Sequence, residues 1–202
     1  MKECNIILAG VGGQGVLRLS NIIGEASLIE GKEVLISEIH GMAQRGGIVV
    51  STVRIGKVYS PLIPKGDADL LLGLEPLEAY REIENVSKRT IVIVNENAIP
   101  PISAFIGKIE YPDLEKVFRQ LKDKAGRLVR VDADELALKS GSRLALNIVM
   151  LGVAFGLKLL PLSEETLKNT ISESVPKKFI GVNIKAFEEG VKFGEGLRYS
   201  DK

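Results

Sequence analysis

The sequence predicts an α/β chain of three layers, with a mixed, mainly parallel sheet and a helical C-terminal part. Three observations predict it. A short apolar run, Asn5–Ala9, enters a glycine loop and then a stretch with helical spacing. Short apolar runs and helical stretches go on alternating as far as Val131, and from Ser142 onward the remainder reads as helix. At 202 residues the chain can bury one such core but hardly two, so residues 1–202 are expected to form a single domain.

Taken in order, Asn5–Ala9 is the first strand, GVGGQG the turn, and VLRLSNIIGEASLIEG a helix that Gly31 stops. Val34–Ile39 reads as the second strand. A strand, a short helix and a strand imply a right-handed parallel crossover, the unit of a Rossmann-like fold. The β-branched segments IVVSTVRIG and KVYSPLIP meet around Gly56-Lys57 and are expected to pair as a hairpin, which makes the sheet mixed.

Asp69–Leu74, Pro76–Ile83 and Thr90–Val94 read as strand, proline-opened helix and strand. Prolines and glycine loosen the connection from Asn95 to Tyr111, in which Lys108–Tyr111 is a candidate strand. Asp113–Lys124 is expected to be a helix and Arg127–Val131 a strand. Asp132 then caps a short helix, Ser142 caps a long apolar helix running towards Leu160, and Ser163 with Glu164 and Glu165 opens another. Val182–Gly194 is the last helix. There is no repeat or low-complexity segment.

Composition narrows the partners. Lys and Arg number 27 against 26 Asp and Glu, and no basic run is interleaved with aromatics, so nucleic acid is a poor ligand for this chain. The single cysteine, Cys4, can form no internal disulfide and supply only one metal ligand, which fits a reducing, cytoplasmic compartment. The N-terminal apolar run is too short for a signal peptide. Leu144–Leu157 contains Asn147, Gly152 and Gly156 and falls short of the roughly 18 residues of a membrane span, so it is read as a buried helix.

The loop Gly10-Val11-Gly12-Gly13-Gln14-Gly15 satisfies G-x-G-x-x-G between a strand and a helix. Glycines allow positive φ and close backbone approach, and the free N–H groups of the helix start favour an anion. Glu38 ends the next strand, where a dinucleotide-binding protein places its ribose carboxylate. The same loop can also serve only as a tight turn. Gln14 adds a polar amide available to a ligand, a partner chain or its own backbone.

Glu38 to Gly47, EIHGMAQRGG, is the stretch densest in chemistry, placed where parallel strands end. His40, the only histidine, is the catalytic candidate as a proton-transfer group, although a hydrogen-bonded loop histidine is the commoner case. Without a His-Cys or His-Glu ligand spacing, no metal site is expected. Arg45 offers a planar fork for phosphate or carboxylate, or an ordinary surface ion pair, and Gly46 and Gly47 let the backbone approach something closely. No nucleophile elbow and no P-loop occur. Asn147, inside the apolar helix, needs a hydrogen-bond partner, either structural or a ligand. Gly152 and Gly156, four apart, admit a second backbone, from this chain or from another subunit.

In order along the chain, GVGGQGVLRLSNIIGEA, SEIHGMAQRGGIVVSTVRIG, SPLIPKGDADLLLGLEPLEA, NIVMLGVAFG and GVNIKAFEEG resemble the gamma domain of the pyruvate and 2-oxoacid:ferredoxin oxidoreductases. The resemblance covers Ile6 to Gly194, and HGMAQRGG looks like the small beta subunit of the indolepyruvate type. It implies an enzyme of two chain types. The large alpha subunit would carry thiamine diphosphate and iron–sulfur clusters, with coenzyme A as co-substrate, ferredoxin as acceptor reached through the complex, and no cofactor bound by this chain alone. One cysteine agrees with that division, since a cubane cluster needs about four thiolates.

On that reading Gly12, Gly13, Gln14 and Gly15 present donors to a phosphate or to the partner, and His40, Gln44 and Arg45 line a shared cleft. Asn147, Gly46 and Gly47 complete the set of residues facing a ligand or a partner. Homodimerisation is a further expectation. Two other readings stay open: an independent NAD(P)- or nucleotide-binding module, and a purely structural assembly subunit.

Overall fold

The computed structural model describes residues 3–41, 47–100 and 110–200. Its centre is one six-stranded sheet: β1 (Cys4–Val11), β2 (Val34–His40), β3 (Ile48–Ile55), β4 (Leu70–Gly73), β5 (Ile91–Asn95) and β6 (Arg127–Val131). The order across the sheet is β2-β3-β1-β4-β5-β6. β1, β4, β5 and β6 are parallel neighbours, whereas β3 is antiparallel to both β1 and β2.

The helices are α1 (Val16–Ile29), α2 (Pro76–Arg81), α3 (Leu114–Lys124), α4 (Ala133–Ser140), α5 (Leu146–Gly156), α6 (Glu164–Glu173) and α7 (Ile180–Ser200). Period-two alternation divides the strands between two cores. Ile6, Leu8, Leu70, Leu72 and Ile93 face one side with α1 and α4 to α7; Ile7, Ala9, Leu71, Val92 and Val94 face the other with α2 and α3. Three layers result.

The expected hairpin is corrected. Residues 57–64 form no strand, and β3 pairs instead with β2 on one side and β1 on the other. Pro61 and Pro64 have no N–H for a ladder. The carbonyls of this segment are taken by side chains: Arg54 donates to those of Ser60 at 2.9 Å and Leu62 at 3.1 Å, and Thr52 Oγ1 to that of Pro61 at 2.8 Å. β2 therefore runs parallel to β1 one strand removed. Glu110 and Tyr111 belong to no strand, and residues 101–109 lie outside the described residues.

Asp113, Asp132 and Ser163 cap α3, α4 and α6 with their side chains. Ser142 caps a single 3-10 turn, Arg143–Ala145, that leads into α5. Every residue of α5 is buried, as an all-round apolar helix requires. Its cover is α7, which crosses it glycine against glycine. A Cβ on Gly152 would overlap the Phe187 carbonyl, and one on Gly190 the Val149 carbonyl; Gly156 and Gly194 are confined in the same way. The paired glycines thus make internal packing.

Candidate functional site

The site lies where β1 and β4 end side by side, with α1 leaving to one face of the sheet and α2 to the other. Such a switch point opens a crevice in α/β sheets. Glycine is required here by backbone geometry: Gly13 and Gly15 have φ of +102° and +82°. A Cβ on Gly13 would meet nothing within 4 Å, whereas one on Gly15 would run into the Asn147 amide.

Gln14 folds back across the crevice floor. Its Oε1 accepts the Val11 N–H at 2.8 Å and its Nε2 donates to the Leu74 carbonyl at 2.8 Å, so one amide ties the end of β1 to the end of β4. Asn147, buried in α5, donates to the Gly15 carbonyl at 3.2 Å and accepts the Ile148 N–H at 3.0 Å. The Gly12 N–H donates to the Gly47 carbonyl at 2.8 Å, which fastens the glycine loop to the start of β3.

The structure therefore brings Gly12, Gly13, Gln14, Gly15, Gly47 and Asn147 together. His40 closes β2 opposite Val49, two strand positions from β1; its side chain falls outside the described residues, as do Gln44, Arg45 and Gly46. Glu38 is likewise on β2. A dinucleotide fold needs its ribose carboxylate on the strand beside β1, and here β3 stands between them.

Several residues at this edge escaped the sequence reading. Glu75, 1% exposed, accepts the Glu78 N–H at 2.9 Å, the Ile99 N–H at 3.3 Å and the Tyr111 hydroxyl. Burial and that bond to Glu75 hold the Tyr111 hydroxyl well above the usual phenol range. Asn95 donates to the Leu74 carbonyl at 3.4 Å and to Asp134 at 3.2 Å; Asn97 donates to Asp132 at 2.9 Å and Asp134 at 3.1 Å. The available signal was position, since N-E-N and D-A-D each begin where an apolar strand run stops or one residue after it. The E-P-L-E of Glu75–Glu78, an acceptor before a proline at the first helical position, was a second one.

Above the loop lies a hollow of about 250 Å³ lined by Gly12, Gly13, Gln14, Ile99, Arg143 and Leu146 among others. It combines the backbone of the glycine loop, the Arg143 guanidinium and the Asp134 carboxylate with the apolar side chains of Val11, Ile99, Leu144 and Leu146; Arg143 is the one cationic group lining it and the one that can pair an anion. Among the described residues no three His, Cys, Asp or Glu side chains come together to hold a metal ion, and no helix is long and apolar enough to cross a membrane.

Residues 5–193 match the family model described as pyruvate ferredoxin/flavodoxin oxidoreductase. The chain belongs to this family. It is 44% identical to indolepyruvate oxidoreductase subunit IorB of Methanothermobacter thermautotrophicus over 92% of this chain and 95% of that one. It is 43% identical to the subunit of the same name from Archaeoglobus fulgidus, over 92% of each. Among solved structures, the 2-oxoglutarate:ferredoxin oxidoreductase of Magnetococcus marinus shares the fold with a TM-score of 0.73 at 23% identity, covering 98% of this chain and 32% of that one. The family match spans all five segments on which the resemblance was read, and the indolepyruvate relatives agree with the subtype that HGMAQRGG suggested.

Proposed function

We propose that this chain is the small subunit of a CoA-dependent indolepyruvate or arylpyruvate:ferredoxin oxidoreductase. The complex oxidatively decarboxylates an aryl 2-oxoacid to aryl-acetyl-CoA and carbon dioxide and passes the electrons to ferredoxin. The observation that carries the reading is collinear identity above 40% with small subunits of that name over nearly the whole of both chains.

The residue inventory supports a division of labour with a large alpha subunit. An iron–sulfur cluster does not fit this chain, which has one cysteine where a cubane needs about four thiolates. Nor do its described residues assemble carboxylates for the metal of a thiamine diphosphate site. Those groups are assigned to the partner. What this chain supplies is a wall of the shared cleft: the Gly13 N–H and the Arg143 guanidinium suit a phosphate such as that of coenzyme A, His40 ends β2 nearby, and Gln44, Arg45 and Gly46 are the further candidates that the sequence offers.

Co-expression with the cognate large subunit, followed by assay of ferredoxin reduction dependent on CoA and indolepyruvate, tests the proposal. Expected are a stable complex, turnover, and little or none from the small chain alone; absence of both complex and turnover rejects it. A purely structural role is favoured by one observation, that the Gln14 and Asn147 amides bond to this chain's own backbone. It is distinguished by His40→Ala and Arg45→Ala in the reconstituted complex. Unchanged turnover supports it.

A further inference from the structure

We infer that the large oxidoreductase chain docks on the carboxyl edge of the sheet beside α4 and α5, with Leu144, Leu138 and Ile99 as the apolar centre of the contact. The inference rests on the function proposed above and adds the face that is used.

Leu144 is 86% exposed, Leu138 52% and Ile99 46%. They are neighbours. Ile99, Asp134 and Arg143 line both the hollow above the glycine loop and an adjoining one of about 620 Å³; Leu144 borders the first and Leu138 the second. Aliphatic groups gathered around two hollows mark an interaction site more than scattered exposed ones do.

The backbone around the patch is also anchored. Leu144 sits in the 3-10 turn whose Ser142 Oγ accepts its N–H at 3.3 Å, and the next residues, Ala145 and Leu146, are buried. Asp134 is fixed by Asn95 and Asn97. A backbone fixed in advance loses little freedom on binding.

The occupant follows from two facts. The same fold makes up 32% of the Magnetococcus marinus oxidoreductase chain, so there it is one part of a polypeptide about three times as long. An apolar centre rimmed by Asp132, Asp134, Glu135 and Arg143 suits a lasting partner of that kind. A transient, acidic electron carrier would ask for a cationic patch instead.

The test measures affinity of the full-length chain for its purified cognate large subunit by biolayer interferometry. Leu144→Asp and Ile99→Asp should each weaken binding at least about 30-fold, the range of an interface hot spot. Leu144→Ser should weaken it less, and Leu28→Asp, at the far end of α1, should leave it unchanged. All three positions are exposed, and matching thermal melts verify folding. If the wild-type chain binds while the Leu144 and Ile99 variants bind equally well, this face is wrong and the proposed function stands. If the wild-type chain does not bind, both readings fall. Self-association of the wild-type chain that Leu144→Asp abolishes would give the face to a second copy and overturn the inference.

Discussion

Glu78 lies in the first turn of α2 with its side chain 7% exposed, and its Oε2 is buried without a hydrogen-bond partner among the described residues. Burial pushes its carboxyl up from 4.5 to about 6; Arg81 opposes this, and Glu75 and Glu82 add to it. The folded state therefore holds a proton that the unfolded chain has already released between about pH 4.5 and 6. Stability contributed by the neutral acid is complete below about 4.5 and lost as pH rises through 6, a change on the order of 2 kcal/mol. Glu78→Gln should accordingly raise the melting temperature at pH 8 and make little difference at pH 4. Calorimetry at the two pH values checks this, and an equal effect at both would contradict it. At this scale the sequence was readable where geometry dictates residue type, as at Gly13 and Gly15. It was mute where a side chain's partner is distant in the chain: nothing near Gln14 announces a bond to Leu74, nor anything near Glu75 one to Tyr111.

The elements show a similar boundary. Helix starts at Asp132 and Ser163 were legible because a cap is a local bond. The hairpin failed because β-branched composition shows that a segment can be a strand but leaves its partner open, and Arg54, which dismantles the expected second strand, is a side chain acting on the loop beyond. Gly152 and Gly156 announced a close approach but left its owner undecided, and the owner is α7. Because backbone lies where a side chain would go, Gly152→Ala must push two helices apart. The expected cost is about 3 kcal/mol, or a melting temperature lower by roughly 6–12 °C. A variant melting within 2 °C of wild type would show that the crossing can relax.

For the whole molecule, strand order decides which ligand the glycine loop can serve. An antiparallel β3 between β1 and β2 moves Glu38 one further strand, about 5 Å, from the place a ribose carboxylate holds in a dinucleotide fold. The isolated chain is therefore expected to show no saturable NAD(P) binding by isothermal titration, and a micromolar dissociation constant would refute this. The α/β class, the mixed sheet and the helical C-terminal part were legible because periodicity records which residues face a core. Strand order was not, since it depends on which edges meet.

The complete burial of α5 carries a consequence for how the chain reaches its fold. Its eleven residues leave the ribosome well before the glycines of α7 that cover them. During that interval the most apolar of the described helices has one flank bare. Until α7 is made, that flank is exposed apolar surface of the kind through which folding intermediates aggregate.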